Sequence, residues 1–114
     1  MLVLEEWIAQ SDDDLEIWAS VTVGFDSEKE LAVQLEYIDY EKKGRNSFVV
    51  AFVTFEDAYD MAKQLNVRLT ELPLAIKKRC GYSSTTLLPS QVEVCFKEVL
   101  DFIVSCGIGY KLCD

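Results

Sequence analysis

The sequence predicts an α+β domain in which two helices cover one face of an antiparallel sheet. Two observations lead to this prediction: an apolar run of strand length at Phe48–Phe55 that changes directly into helical spacing, and a second helical pattern after Pro89. β-rich segments lie between these patterns and after the second one. From Ser47 onward the predicted order is strand, helix, strand, strand, helix, strand. This is the split βαβ, or ferredoxin-like, arrangement over residues 47–114.

Residues 1–46 are predicted to add a strand and one or two helices, either extending the sheet of the core, which we expect, or covering its other face. Apolar residues at helical spacing predict a short helix at Leu2–Gln10, and Ser11–Asp14 would end it. Leu15–Phe25 alternates apolar with polar or small residues, which predicts a half-buried strand. Trp18 points to the other face of that strand, where it is either covered by a helix, which we expect, or exposed for a partner.

The segment from Asp26 to Lys43 fits two structures. Ser27 and Glu30 match a capping box, and the apolar spacing that ends near Lys43 favours a helix. Continued through residues 44–53, the same segment also fits a hairpin. We expect the helix, and local propensity leaves the hairpin open.

Ser47–Leu65 is the best-defined part of the sequence. Phe48–Phe55 is almost entirely apolar, β-branched or aromatic, as in a central strand covered on both faces. Thr54 can cap the helix that follows, with Asp57 three residues on, and apolar residues then repeat at helical spacing. Asn66 can close this helix in a left-handed conformation.

Two further strands are predicted between the helices. Val67–Leu72 alternates, and Pro73 would limit it because proline cannot donate to a sheet ladder. Tyr82–Leu88 is rich in threonine, which favours a second strand.

The last helix is predicted from a capping box formed by Ser90 and Glu93. Gly107 ends it, and residues 108–113 alternate as a closing strand. Its predicted buried stripe consists of Val92, Cys95, Phe96, Val99 and Ile103.

A chain of 114 residues, half of them hydrophobic, fits one domain over residues 1–114, made of an acidic addition at 1–46 and a core at 47–114. No apolar run reaches the roughly 18 residues that a membrane span needs, and the amino terminus is acidic, unlike a signal peptide. We therefore expect a cytoplasmic protein without membrane binding. Four cysteines lack CxxC spacing and histidine is absent, so we expect reduced thiols, no metal, no cofactor and no enzymatic activity.

The charge is the strongest indication of function. The formal net charge is −9, and residues 1–45 hold twelve acidic against four basic side chains, a net charge of −8. This argues against direct binding of nucleic acid, which needs a basic face. It favours a non-enzymatic inhibitor, immunity protein or mimic that occupies a basic surface on a protein partner. The predicted partner-binding residues are Asp12, Asp13, Asp14, Glu16, Glu28, Glu36 and Asp39.

Cys80 is the candidate reactive thiol. It follows Lys77, Lys78 and Arg79, whose charges could stabilise a thiolate, and Gly81 allows close backbone approach. The alternative is a basic turn between two strands that happens to contain a cysteine. A third possibility for the whole chain is a structural subunit of an assembly, whose oligomeric state the sequence leaves open.

The segment LPLAIKKRCG, with Pro73, Ile76, Cys80 and Gly81 at P-x-x-I-x-x-x-C-G spacing, resembles the central loop of small ferredoxin-like proteins described as selenium or sulfur carriers. The resemblance spans residues 47–114. It implies a thiol that carries sulfur or selenium, with Cys80 at the family's Cys-Gly position. Leu74 and Ala75 stand where that family usually has arginine and glutamate, and residues 1–46 have no counterpart in it.

Overall fold

The computed structural model describes residues 2–11, 17–39, 47–81 and 88–113. Four strands come first: β1 (Val3–Gln10), β2 (Ile17–Phe25), β3 (Leu31–Asp39) and β4 (Ser47–Val53). The helical part and a last strand follow as α1 (Phe55–Gln64), a 3-10 turn (Leu69–Glu71), α2 (Leu72–Cys80), α3 (Pro89–Ser105) and β5 (Lys111–Cys113).

All five strands belong to one antiparallel sheet in the order β1-β2-β3-β4-β5. The first four strands follow one another as neighbours, and β5 pairs with the far side of β4 after the helices. The predicted α+β class with an antiparallel sheet is therefore correct, and residues 1–46 extend the sheet. A ferredoxin-like arrangement is not confirmed, since the other neighbour of β4 is β3 and most of the predicted strand Tyr82–Leu88 lies outside the described residues.

The helices share a hydrophobic core with one face of the sheet, which we call the covered face. Its strand side chains are fully or almost fully buried, and they include Ala19, Val21, Val23, Leu31, Val33, Leu35, Ala51 and Val53. Val92, Cys95, Phe96, Val99 and Ile103 of α3 pack against them, which confirms the predicted stripe. Tyr37 also reaches the helices from β3, because its hydroxyl donates to Glu93 Oε2 at 3.0 Å.

The passage from β4 into α1 is as the sequence predicts. Thr54 is the N-cap, and its Oγ1 accepts the backbone N–H of Asp57 at 3.3 Å. Asn66 follows the helix with φ 57°, in the left-handed conformation expected of it. Gly107 likewise has φ 76° directly after α3, so this predicted helix end is also confirmed.

The predicted helix at Leu2–Gln10 is wrong, because these residues form β1. The pairing of β1 with β2 has two irregularities, one between Val3 and Glu6 and one between Trp7 and Ala9. They interrupt the two-residue alternation that indicates a strand in a sequence. As a result Ile8 and Ala9 are buried although they are consecutive. Two consecutive buried residues fit the apolar spacing of a helix better than the alternation of a strand.

The expected helix over Asp26–Lys43 is also wrong, and the hairpin alternative is the better description of the residues up to Asp39, while the hairpin turn itself lies outside the described residues. β3 pairs along its whole length with β2 and along most of it with β4. In place of a capping box at Ser27, Asp26 Oδ1 accepts the N–H groups of Glu28 and Glu30, each at 2.9 Å. This closes a tight turn in which Lys29 has φ 64°.

Four predictions near α2, α3 and β5 need correction. Val67–Leu72 is a turn and a short 3-10 segment, in which Arg68 N donates to Glu71 Oε1 at 3.2 Å. Pro73 lies in the first turn of α2, a position that tolerates proline because its missing N–H has no partner there. The N-cap of α3 is Leu88 rather than Ser90. Of the predicted closing strand, only Lys111–Cys113 is a strand.

Candidate functional site

The second face of the sheet carries side chains outside the core that the helices share with the covered face. We call it the open face. Register with neighbouring strands places the following side chains on it: Trp7, Trp18, Ser20, Thr22, Gln34, Glu36, Phe48 and Phe52. This face combines aromatic rings and polar groups with the aliphatic side chains of Ala32, Ile38 and Val50, whereas the covered face is mostly aliphatic.

Trp7 and Trp18 form a ring pair at one side of the open face. Their ring centroids are 5.8 Å apart and the planes are tilted by 50°. Trp7 lies opposite Thr22, and Trp18 precedes Ser20 by two residues, so the pair flanks Ser20 along β2. Trp18 therefore packs against another tryptophan and not against the helix we expected. Trp7 remains 45% exposed.

Phe48 and Phe52 form the aromatic side of the open face on β4. They are four residues apart in the strand and so point the same way. Phe48 is 52% exposed, and Phe52 is half-buried. The prediction that this strand is covered on both faces is wrong at Phe48, while Val50 on the same face is buried. β4, which is apolar apart from Ser47, thus has aromatic rings on the face where the sequence pattern predicted a covering layer.

Glu36 lies between these aromatic pairs. In the register of the sheet it stands opposite Ser20 of β2 and opposite Phe48 of β4, and its side chain is half-buried. No ion pair joins Glu36 to another residue of the described part of the chain. The structure therefore places one predicted partner-binding residue in the middle of an exposed aromatic face.

The other predicted acidic residues do not form a single cluster with Glu36. Asp12, Asp13, Asp14 and Glu16 lie outside the described residues. Glu28 is exposed in the turn before β3, so the extended backbone of β3 separates it from Glu36. Asp39 is the last residue of β3, and its backbone pairs with Ile17.

Cys80 lies in the last turn of α2, so the predicted turn between two strands is a helix end. Its side chain is half-buried and packs against the core. Burial raises the pKa of the Cys80 thiol above its ordinary value, Glu98 raises this pKa further, and Arg79 lowers it. The net direction is opposite to that of a stabilised thiolate.

Two of the three basic residues beside Cys80 have other partners. Lys77 Nζ pairs with Glu6 Oε1 of β1 at 3.5 Å, and the Arg79 guanidinium lies 5.1 Å from the ring centroid of Phe102. Gly81 caps the helix, and a Cβ there would collide with the carbonyl oxygen of Lys77. The predicted close backbone approach at Gly81 is thus real, and it serves to end the helix.

Cys95 is buried in α3 and lies near Cys80. Its thiol donates to the carbonyl oxygen of Cys80 at 3.7 Å. Burial, with smaller contributions from Glu98 and Cys80, raises the pKa of Cys95 to about 12. This thiol belongs to the core, whereas Cys113 on β5 is exposed.

A separate apolar cleft of about 370 Å³ lies where β1 begins, between the β2–β3 turn and α1. Its apolar walls include Leu4, Phe25, Phe55 and Leu69. Asp26, at its margin, already accepts two backbone N–H groups. In the described part of the chain, no three His, Cys, Asp or Glu side chains come together as metal ligands, and no helix is long and apolar enough to span a membrane.

Comparison of the chain with protein-family models, with curated proteins and with solved structures found no match. Sequence reasoning singled out Glu36 but missed Trp7, Phe48 and Phe52 as surface residues. The two-residue spacing within each strand indicates which side chains share a face. It indicates that Trp7, Phe48 and Phe52 are at least partly exposed only when the face covered by the helices is known.

Proposed function

We propose that this chain is a non-enzymatic protein-binding domain of the inhibitor, immunity or mimic type, which occupies a basic surface on a protein partner. The observation that carries the proposal is the net charge of −8 in residues 1–45. Those residues supply β1, β2 and β3, and with them Trp7, Trp18 and Glu36 of the open face. Acidic charge then speeds the encounter, and the aromatic groups hold the complex.

The proposal is tested by the salt dependence of binding to a panel of purified basic proteins. Exposed charges are screened as ionic strength rises, so affinity should fall at least about tenfold between about 0.05 M and about 0.5 M salt. The triple variant Asp12→Asn, Asp13→Asn, Asp14→Asn should weaken binding at low salt. Its matched control neutralises three exposed acids of α1 and α3, with Glu56→Gln, Asp60→Asn and Asp101→Asn.

Two results would contradict this function. One is an affinity that does not change with ionic strength. The other is an equal loss of affinity in both triple variants, since general charge would then matter and not the acidic half of the chain.

A sulfur or selenium carrier that uses Cys80 is the alternative, and the family resemblance and the ferredoxin-like arrangement that accompany it stay predictions. The half-exposed position of Cys80 at a helix end favours it, while the raised pKa of the thiol counts against it. Alkylation near neutral pH, followed by peptide mass spectrometry, decides. A carrier requires Cys80 to react well before Cys113; we expect Cys113 to react first, because it is exposed. A structural subunit remains the third prediction.

A further inference from the structure

We call the strip of the open face between its two aromatic pairs the groove. Trp7 and Trp18 lie on one side, on β1 and β2, while Phe48 and Phe52 lie on the other, on β4. Neighbouring strands are about 4.8 Å apart, so β2 and β4, with β3 between them, are separated by about 10 Å. This width accommodates one extended peptide segment lying along the face. The side chains between the aromatic pairs are smaller or polar, namely Ser20, Thr22, Ala32, Gln34, Glu36 and Val50.

The floor of this groove is well packed and has its hydrogen bonds satisfied. Ser20 and Thr22 are buried, and the described part of the chain contains no buried side-chain nitrogen or oxygen without a hydrogen-bond partner. The groove therefore does not need a ligand to complete the fold. What it offers a ligand is the partly exposed side chains of Gln34 and Glu36 and the rings on either side.

Glu36 gives the groove a charge preference. Glu36 is half-buried as a residue, and no cation of the described residues pairs with its carboxylate within 4.0 Å. A carboxylate flanked by aromatic rings attracts a cation more strongly than an exposed one, because the rings exclude part of the water. The complementary group is therefore a Lys or Arg side chain.

Arginine satisfies the groove more completely than lysine. A guanidinium can donate two hydrogen bonds to one carboxylate while its flat face stacks on an aromatic ring. The tryptophan pair provides such a ring face close to β2, and indole is the best cation–π partner among the side chains. Trp and Arg are also the residues that most often dominate the energy of protein interfaces.

We propose that the open face binds an arginine-bearing segment of a protein partner. The arginine pairs with Glu36 and stacks on the pair of Trp7 and Trp18, while apolar neighbours of the arginine cover Phe48 and Phe52. This inference rests on the proposed function and names the surface and the partner chemistry for it. A second copy of the chain is a poor occupant, since each copy carries a net charge of −9.

The probe is a nine-residue peptide with a central arginine between leucines, compared with the same peptide containing citrulline, which keeps the shape and removes the charge. Trp7 and Trp18 are the only tryptophans in the sequence, so intrinsic fluorescence reports on this face alone. We expect the arginine peptide to shift the emission and to bind at least about tenfold more tightly than the citrulline peptide.

Variants locate the site. Glu36→Gln should reduce the affinity for the arginine peptide about tenfold and abolish the preference over citrulline, while Glu56→Gln, an equal change of charge on α1, should not. Trp7→Phe keeps an aromatic ring and should weaken binding of the arginine peptide less than Glu36→Gln does. Far-UV circular dichroism of each variant verifies that the sheet is intact.

The inference is overturned by equal binding of the two peptides, by equal losses in Glu36→Gln and Glu56→Gln, or by no binding of the arginine peptide at millimolar concentration. A doubled mass in solution that Trp7→Ala returns to the monomer value would also overturn it, in favour of self-association. The salt series with basic proteins is independent of these results. If the affinity for basic proteins falls with rising salt as expected but the arginine peptide does not bind, the proposed function stands and only its assignment to the open face is lost.

Discussion

The two faces of the sheet are built from the same five strands but have opposite chemistry. On the covered face, alternate residues of β2 and β3 such as Val21, Val23 and Val33 are fully buried under the helices. On the open face, the residues between them include Thr22 and Glu36, bordered by Trp7 and Phe48, which are about half exposed. The first face stabilises the fold by excluding water. The second leaves Glu36 and the rings of Trp7 and Phe48 partly exposed to solvent.

The largest expected difference between the faces is in stability. Leu31→Ala removes a fully buried side chain from the covered face and should lower the free energy of unfolding by about 2–5 kcal/mol. Phe48→Ala removes a larger side chain from the open face but should cost less than about 1 kcal/mol, because that ring is already half exposed. Urea unfolding measures both. Equal losses would mean that the open face is a second core.

A smaller loss of stability is expected where the start of β1 packs closely on β2. Gly24 of β2 lies beneath the start of β1, where an added Cβ would be 2.9 Å from Leu2 Cβ and 2.9 Å from the carbonyl oxygen of Val3. Gly24→Ala should therefore displace β1 and cost about 1–3 kcal/mol in urea unfolding. Gly109→Ala is the control, because a Cβ there meets nothing within 4 Å. An unchanged stability in Gly24→Ala would contradict the close approach of β1.

The smallest effect concerns the polar link between the covered face and α3. Burial and Glu93, which accepts the hydroxyl hydrogen bond, raise the pKa of Tyr37 from 10.0 to about 12. The folded state thus retains a proton that the unfolded state loses first. This contribution to stability is complete below pH 10 and is lost as the pH rises toward 12.

Tyr37→Phe should lower the free energy of unfolding by about 1 kcal/mol near neutral pH, through loss of the hydrogen bond. Between pH 10 and pH 12 the stability of this variant should fall less steeply than that of the parent. Tyr110→Phe, at an exposed site, is the comparison. Parallel stability curves for the Tyr37→Phe variant and the parent in this range would contradict the role of Tyr37. Cys95, whose pKa is also raised to about 12, should cause a decline that starts near pH 9 in every variant.

The parts of the fold that the sequence predicted correctly have local signals. Thr54 and Asp57 mark a helix start within three residues, and Gly107 marks a helix end. The candidate site was predicted only in part. Glu36 followed from its charge, but the sequence did not place it between Trp18 and Phe48, since those residues come from different strands.

The sequence by itself determined the α+β class, the passage from β4 into α1, the buried stripe of α3 and the acidic character of the first 45 residues. Only the tertiary structure decided that Leu2–Gln10 and residues 31–39 are strands, and which face of the sheet the helices cover. The reason is the range of the hydrogen bonds. A helix bonds residues four apart, so its pattern is complete within one segment. A strand bonds to distant segments, and its exposed face is defined only when those partners are in place.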